Sequence, residues 1–300
     1  MTLAGKGGAA ACYQFATRGL RATADASRDA MTRTLTYDTE MEVGFVAEDG
    51  ALLGALQRAC DGPAGAMQRG TPGCVVRVGP GTLHVLVTLA RLECDETKIL
   101  NRHVRPILAA ITKTIGKPAR YFGRDWIDVG SRPIAHVGFG HERASGRTVV
   151  EAFVAVRTPF TVDGHARASY GGKEPTTLEA LCGKVDDDKL VRSLVAGAES
   201  FTVVPRKHAT LAISDADPPW AARVDEAIGP VCAGRDASGR MRVGGEWMGS
   251  FDAVVDLEAR LLRGEPVRAS VDAAFTAPHT ALFGIRSLDS FARALEAAFR

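Results

Sequence analysis

Residues 123–139 read GRDWIDVGSRPIAHVGF. Two apolar runs, 125–129 and 133–140, flank a Gly-Ser break too short for the crossover that a parallel pair needs, so the stretch predicts an antiparallel β-hairpin. It carries Arg124, Asp125, Arg132 and His136, with a proline at 133. The neighbouring pieces extend a sheet. Residues 119–123 read as one more strand, and RTVVEAFVAVR, 147–157, is too apolar on both faces to lie at an edge. Upstream, Leu100, Val104, Ile107, Leu108, Ile111 and Ile115 stripe a helix from about Asp95 to Ile115. Gly116 ends that helix, and Pro106 kinks it or marks its start.

Farther out, AEDGALLGALQRA carries Leu52, Leu53, Leu56 and Ala59 at helical spacing and predicts a helix broken by CDGPAG. GCVVRVGPGTLHVLVTLARL predicts two strands joined at 79–81. EPTTLEALCG opens a helix with a capping box from Thr176 to Glu179, and DDKLVRSLVAGAESF continues with Leu190, Val191, Leu194, Val195 and Ala198 as its apolar stripe. These elements make an α+β unit over 41–233, a mostly antiparallel mixed sheet flanked by helices.

A small C-terminal α+β accessory unit over 234–300 follows, with CAGRDASGR, 232–240, as the linker. Its elements are a strand in MRVGGEWMGS, a helix capped by Ser250 with Phe251, Val254, Val255, Leu261 and Leu262 inward, strands in PVRASVDAAF and TALFGIRS, and a final helix striped by Leu288, Phe291, Leu295 and Phe299. Residues 1–40, rich in Ala, Gly and Arg but without a sustained amphipathic stripe, read as a disordered extension or an upstream start ahead of Met31 rather than a targeting signal.

Composition narrows the function classes. A hydrophobic share of 46% and a charged share of 24% are ordinary globular values and exclude collagen-like and coiled-coil classes. A net charge of +2 without a run of like charges argues against nucleic acid or a membrane surface as partner. No apolar run reaches the length of a membrane span. The 6 cysteines lack metal-like spacing and read as reduced thiols of a cytoplasmic protein. Walker, nucleophile-elbow, zincin and dinucleotide fingerprints are missing. His136 and His141 lie near a strand end without a carboxylate or cysteine cluster in sequence, so no metal site is expected.

What remains is an ordered series: QRGTPGCVVRVGPGTLHV, then ILNRHVRPIL, then the opening hairpin, then VVEAFVAV, then EPTTLEAL. This series resembles the lipoate-protein ligase and biotin-protein ligase family over about 45–205, and the C-terminal unit resembles the accessory domain that some lipoate ligases carry. Arg69, Thr71, Gly73, Val75 and Val76 match the family's basic-Ser/Thr-glycine frame, Gly81 a later glycine, Asn101 and Arg102 its Asn-Arg helix, and Gly123 with Arg124 its Gly-Arg. Gln68, Pro72, Cys74, His103 and Asp125 depart from the pattern.

The resemblance implies condensation of lipoate or octanoate with ATP and Mg2+ to an acyl-adenylate, then transfer of the acyl group to a lysine of a lipoyl or other carrier domain. Arg69, Thr71, Gly73, Val75, Gly81, Arg124 and Asp125 would form the acyl and nucleotide site. Glycines there let backbone N–H groups approach phosphate. A hairpin lysine is implied to stabilise charge that grows in the transition state. Alignment puts Pro133 at that lysine and His136 at the following glycine.

Arg132 points to the other side of a regular strand unless a bulge re-aims it, and His136 and Lys173 stand at no family position; these three are the candidates for the missing cation. Bland readings stay open: Gly79 to Gly81 as a tight turn, Arg69 as a loop cation, Arg124 with Asp125 as a surface ion pair, and Cys74 and Cys182 as buried, inert thiols. The alternatives are a catalytically silent relative that binds an acyl carrier domain or a ligase partner, and an ATP-independent acyltransferase using Cys74 or Cys182.

Overall fold

The computed structural model describes residues 17–35, 38–91, 98–162, 170–196, 201–202 and 217–300. The chain opens with strand β1 (Thr17–Arg18), helix α1 (Leu20–Thr32), β2 (Thr39–Val46), β3 (Gly50–Leu53), β4 (Met67–Gln68), β5 (Val76–Val78) and β6 (Thr82–Leu89). Helix α2 (Ile99–Ile115) leads into β7 (Ala119–Tyr121), β8 (Trp126–Val129), β9 (Arg132–Glu142), β10 (Arg147–Ala155) and β11 (Thr161–Val162). Helices α3 (Leu178–Cys182) and α4 (Asp187–Val195) precede β12 (Phe201–Thr202). The C-terminal part comprises β13 (Ala222–Val224), β14 (Val231–Arg235), β15 (Met241–Gly245), β16 (Met248–Ser250), α5 (Phe251–Leu262), α6 (Val267–Phe275), β17 (Leu282–Phe283) and α7 (Asp289–Phe299).

The main sheet runs β1-β2-β6-β10-β9-β16-β17, with β8 on the hairpin end of β9, β7 on β8, and β12 beside β2. Its long central pairs are antiparallel, while β1–β2, β12–β2 and β16–β9 are parallel, so the expected α+β mixed sheet is present. Alternation along the strands divides its two faces. Val43, Val85, Val87, Val137 and Val150 pack on α2 and α4 through Ile107, Ile111, Leu190 and Leu194. On the opposite face, Phe153 packs with Leu52, Val76, Phe160 and Tyr170, beneath a smaller sheet ordered β11-β5-β3-β4. The polar residues treated below lie between these two sheets.

Several sequence expectations need correction. Residues 50–53 form a strand where a helix is expected: Ala51, Leu52 and Leu53 are all buried, and a short continuous apolar run has no period to separate strand from helix. Gly54 also demands extended packing, since a Cβ there would lie 2.0 Å from Gly73 O. Strands β5 and β6 flank residues 79–81 as expected but enter different sheets. Within the expected N-terminal extension, α1 is a packed helix: Ala26 and Ala30 are buried against Leu86 and Val149. Residues 1–16, the start of the expected second helix at Asp95, and Ala198 lie outside the described residues.

Thr177, not Thr176, caps α3, accepting from Ala180 N at 3.0 Å. In the C-terminal part, 231–235 is a strand paired on both sides rather than a linker. Residues 267–275 are a helix, not a strand: Val271, Ala274 and Phe275 recur at helical spacing, and Pro266 precedes the first turn. Ser250 Oγ accepts from Ala281 N at 2.9 Å and does not cap α5. Helix α5 buries Ala253, Val254 and Leu257, leaving Val255 and Leu262 exposed, and Phe299 is exposed on α7. This region has its own core around Trp247, Phe275 and Phe291, yet β16 joins the main sheet beside β9.

Candidate functional site

Arg69 enters the space between the sheets from the loop after β4. Only 1% of its surface is exposed, so its charge must be met from within the protein. Nε donates to Thr71 Oγ1 at 3.1 Å and lies 3.4 Å from Glu151 Oε2; Nη1 donates to Cys74 O at 3.1 Å and Leu52 O at 3.4 Å; Nη2 reaches Pro72 O and His136 Nε2, each at 3.4 Å. The Thr71 hydroxyl donates to Glu151, and His84 Nε2 meets Glu151 Oε1 at 2.7 Å. Burial alone would raise the Glu151 pKa; the bond from His84, the His84 and Arg69 charges and the Thr71 hydroxyl together hold it below the ordinary carboxylate value. Arg69 thus pins its own loop, and the reading of it as a solvated loop cation is incorrect.

Gly73 has φ +127°, and a Cβ there would come within 2.7 Å of Arg69 Nη2. Its glycine therefore admits the guanidinium of Arg69. Val75 packs with Ala51 and Leu53 in a small buried group. Gly81, at φ +86°, packs on the Arg157 side chain and its N donates to Val46 O at 3.3 Å, as a turn between the two sheets.

The hairpin faces this loop. Cys74 Sγ lies 3.9 Å from Asp125 Oδ2 and 4.0 Å from His136 Nδ1, and His136 Nδ1 lies 3.4 Å from the Tyr170 hydroxyl. The Arg69 turn and the Arg124 hairpin thus form walls of one buried cluster, with Phe153 and Phe160 stacked or tilted against His136. Burial pushes the Asp125 carboxyl up to about 7 against the opposing pull of its backbone hydrogen bond, Arg124 and Arg69. Burial likewise raises the Cys74 thiol well above its usual value and holds His136 neutral. Because a guanidinium can only donate, Arg69 fixes His136 Nε2 as acceptor and puts the ring proton on Nδ1. The imidazole therefore cannot take the thiol proton in this arrangement, and Cys74 is not an activated nucleophile. Cys182 is exposed, with its thiol directed to Leu178 O at 3.2 Å.

A register shift in the hairpin decides which cations reach this face. Ile127 pairs with Ala135 and Asp128 with Pro133, so Ile134 is the extra residue of a β-bulge. Ile134 and Ala135 both join the helix-facing core. Pro133, opposite Asp128, thereby shares the other face with His136, opposite Trp126. Arg132 is exposed and one residue out of phase with that face. Lys173, by contrast, reaches Asp128 Oδ2 at 3.5 Å and lies 5.8 Å from the Trp126 ring centroid. Arg124 lies 4.7 Å over the same ring and donates to Ala227 O at 2.8 Å. Trp126 stacks on Tyr170 at 4.4 Å between centroids. Two cations therefore converge on one aromatic surface.

Asn101 and Arg102 lie elsewhere, in a cavity of about 570 Å3 at the start of α2 with Lys98, Arg105 and Tyr121. Sequence reasoning missed Glu151, although a carboxylate within the apolar run VVEAFVAV is the signal that a buried partner awaits it. It also missed Trp126 and Tyr170, whose stacking joins residues distant in sequence.

No family model matches the chain, and no curated protein matches it by sequence. By structure it is similar to P. falciparum LipL1 in complex with lipoate, at 9% identity over 93% of this chain and 97% of that one, with a TM-score of 0.57. It is also similar to a bi-partite lipoate protein ligase from Thermoplasma acidophilum, at 16% identity over 61% of this chain and 80% of that one, TM-score 0.49. A lipoate-protein ligase A bound with ATP gives 15% identity over 61% and 81%, TM-score 0.49. The chain has the lipoate-protein ligase fold.

Proposed function

We propose that this protein binds a lipoyl or octanoyl carboxylate, activates it with ATP and Mg2+, and passes the acyl group to a lysine of a carrier domain in the cytoplasm. The supporting observation is the pair of cations on the Trp126 face. Position 133 cannot supply an ammonium, but the bulge turns it toward a face that Lys173 reaches from a separate loop. A fixed ammonium there would stabilise the charge that develops on carboxylate and phosphate oxygens. Arg124, 4.7 Å over the same indole, would assist, and the C-terminal unit would serve as an accessory domain. Arg69, Thr71 and Gly73 support the loop rather than touch phosphate.

The test is pyrophosphate release from ATP with lipoate, octanoate and biotin, alongside calorimetry with each acid. Release with lipoate or octanoate is expected. Neither release nor binding heat would remove the reading.

The engagement of Arg69 by Glu151, Thr71 and His136 favours a second reading, a catalytically silent relative that binds an acylated carrier domain. It predicts binding to a lipoyl domain without turnover, even after Pro133→Lys.

A further inference from the structure

Cys74, Asp125 and His136 come from the loop before β5, the residue before β8 and the middle of β9. All three are buried. One ligand-type atom from each lies within 4.8 Å of the other two. Asp125 Oδ1 has no hydrogen-bond partner among the described residues. Its other oxygen faces a thiol, which is a weak donor. A backbone hydrogen bond and the more distant Arg124 and Arg69 charges only partly offset the burial of Asp125, so the carboxyl is costly as an anion unless it takes a proton or a cation meets it directly.

We propose that Cys74, Asp125 and His136 bind one divalent transition-metal ion, with Zn2+ the best match to a thiolate, carboxylate and imidazole set. Bonds of about 2.0–2.3 Å to such an ion bring ligand atoms to roughly 3.3–4 Å from one another. The distances of 3.9 and 4.0 Å from Cys74 Sγ fall at the upper end of that range, and the carboxylate and imidazole, within 4.8 Å of each other, would close on the ion as it binds.

Charge also balances. Thiolate and carboxylate neutralise a divalent cation, while Glu151 already offsets Arg69. The Cys74 thiol proton leaves to solvent as the S–metal bond forms. Ligation through His136 Nδ1 moves the imidazole proton to Nε2 and gives up the 3.4 Å contact with Arg69. Arg69 retains its bonds to Thr71 and the backbone. The Tyr170 hydroxyl, 3.4 Å from Nδ1, stands close enough to complete the coordination. Such an ion would tie the Arg69 loop to the hairpin, and the inference does not depend on the acyl-transfer reading.

The full chain, stripped with a chelator, is titrated with Co2+ and separately with Zn2+. The expected result is one equivalent of Co2+ with a thiolate-to-cobalt charge-transfer band, lost in both Cys74→Ser and Asp125→Asn. Zn2+ is expected to raise the unfolding midpoint of the parent and not that of Asp125→Asn, a variant that keeps the side-chain shape should Cys74→Ser fail to fold. Three outcomes overturn the proposal: no charge-transfer band in the parent, a band that persists in Cys74→Ser and so arises from another cysteine, or an undiminished band in Asp125→Asn, which shows that the carboxylate is not a ligand.

Discussion

Replacing Glu151 with glutamine isolates the group that lets Arg69 be buried. The carboxylate meets Arg69 Nε at 3.4 Å, His84 Nε2 at 2.7 Å and the Thr71 hydroxyl, and both partners of the ion pair have no exposed side-chain surface. Glutamine keeps the shape and one acceptor but removes the charge, leaving a guanidinium in a low-dielectric interior without its counter-ion. Breaking a buried pair from one side costs about 3–5 kcal/mol, a large part of the roughly 5–15 kcal/mol that folded domains possess. Urea unfolding followed by circular dichroism reads this directly. With a slope of about 1–3 kcal/mol/M, the midpoint should fall by roughly 1–5 M. The sign with pH follows from the depressed folded pKa: Glu151 contributes above the ordinary carboxylate value and loses its contribution as pH falls through the folded value. Parent and variant should therefore converge in acid. A loss below about 1 kcal/mol near neutrality would refute the assignment of Arg69 as a structural pin.

Glu246 gives a prediction of opposite sign: burial, with Asp61 nearby, raises its pKa to about 8. The folded state then holds a proton that the unfolded state releases, so stability falls as pH rises from the ordinary carboxylate range to about 8. Glu246→Gln should stabilise by on the order of 2–4 kcal/mol at neutral pH and by nothing near pH 4, as thermal melts across pH will show. Gly73→Ala should destabilise by more than about 1 kcal/mol, because it combines φ +127° with a Cβ 2.7 Å from the held Arg69 guanidinium; chemical denaturation checks it.

The legible part of the fold was its periodic part. The 17 residues of α2 and the long strands β6, β9 and β10 carry apolar residues at one clear period, and Gly116, in the left-handed region at φ 69°, ends α2 where the sequence puts the stop. Short segments failed. Residues 50–53 and 267–275 read as the wrong element because a few apolar residues fit either period, and packing against Gly73 or the Trp247 core decides between them. The site followed the same rule. Arg69, Thr71, Gly73, Asp125 and His136 could be named from sequence, but the direction of their side chains depended on contacts across the two sheets. The bulge at Ile134, which puts Pro133 on the face reached by Lys173, leaves no trace in a single sequence.

The most direct test of the account compares pyrophosphate release by the parent, Lys173→Met, and Lys173→Met combined with Pro133→Lys. Loss of a fixed transition-state cation predicts a fall of about 100- to 1,000-fold in Lys173→Met, with substantial recovery when the ammonium is moved to position 133. An undiminished rate in Lys173→Met would contradict the claim that this lysine supplies the cation of the site.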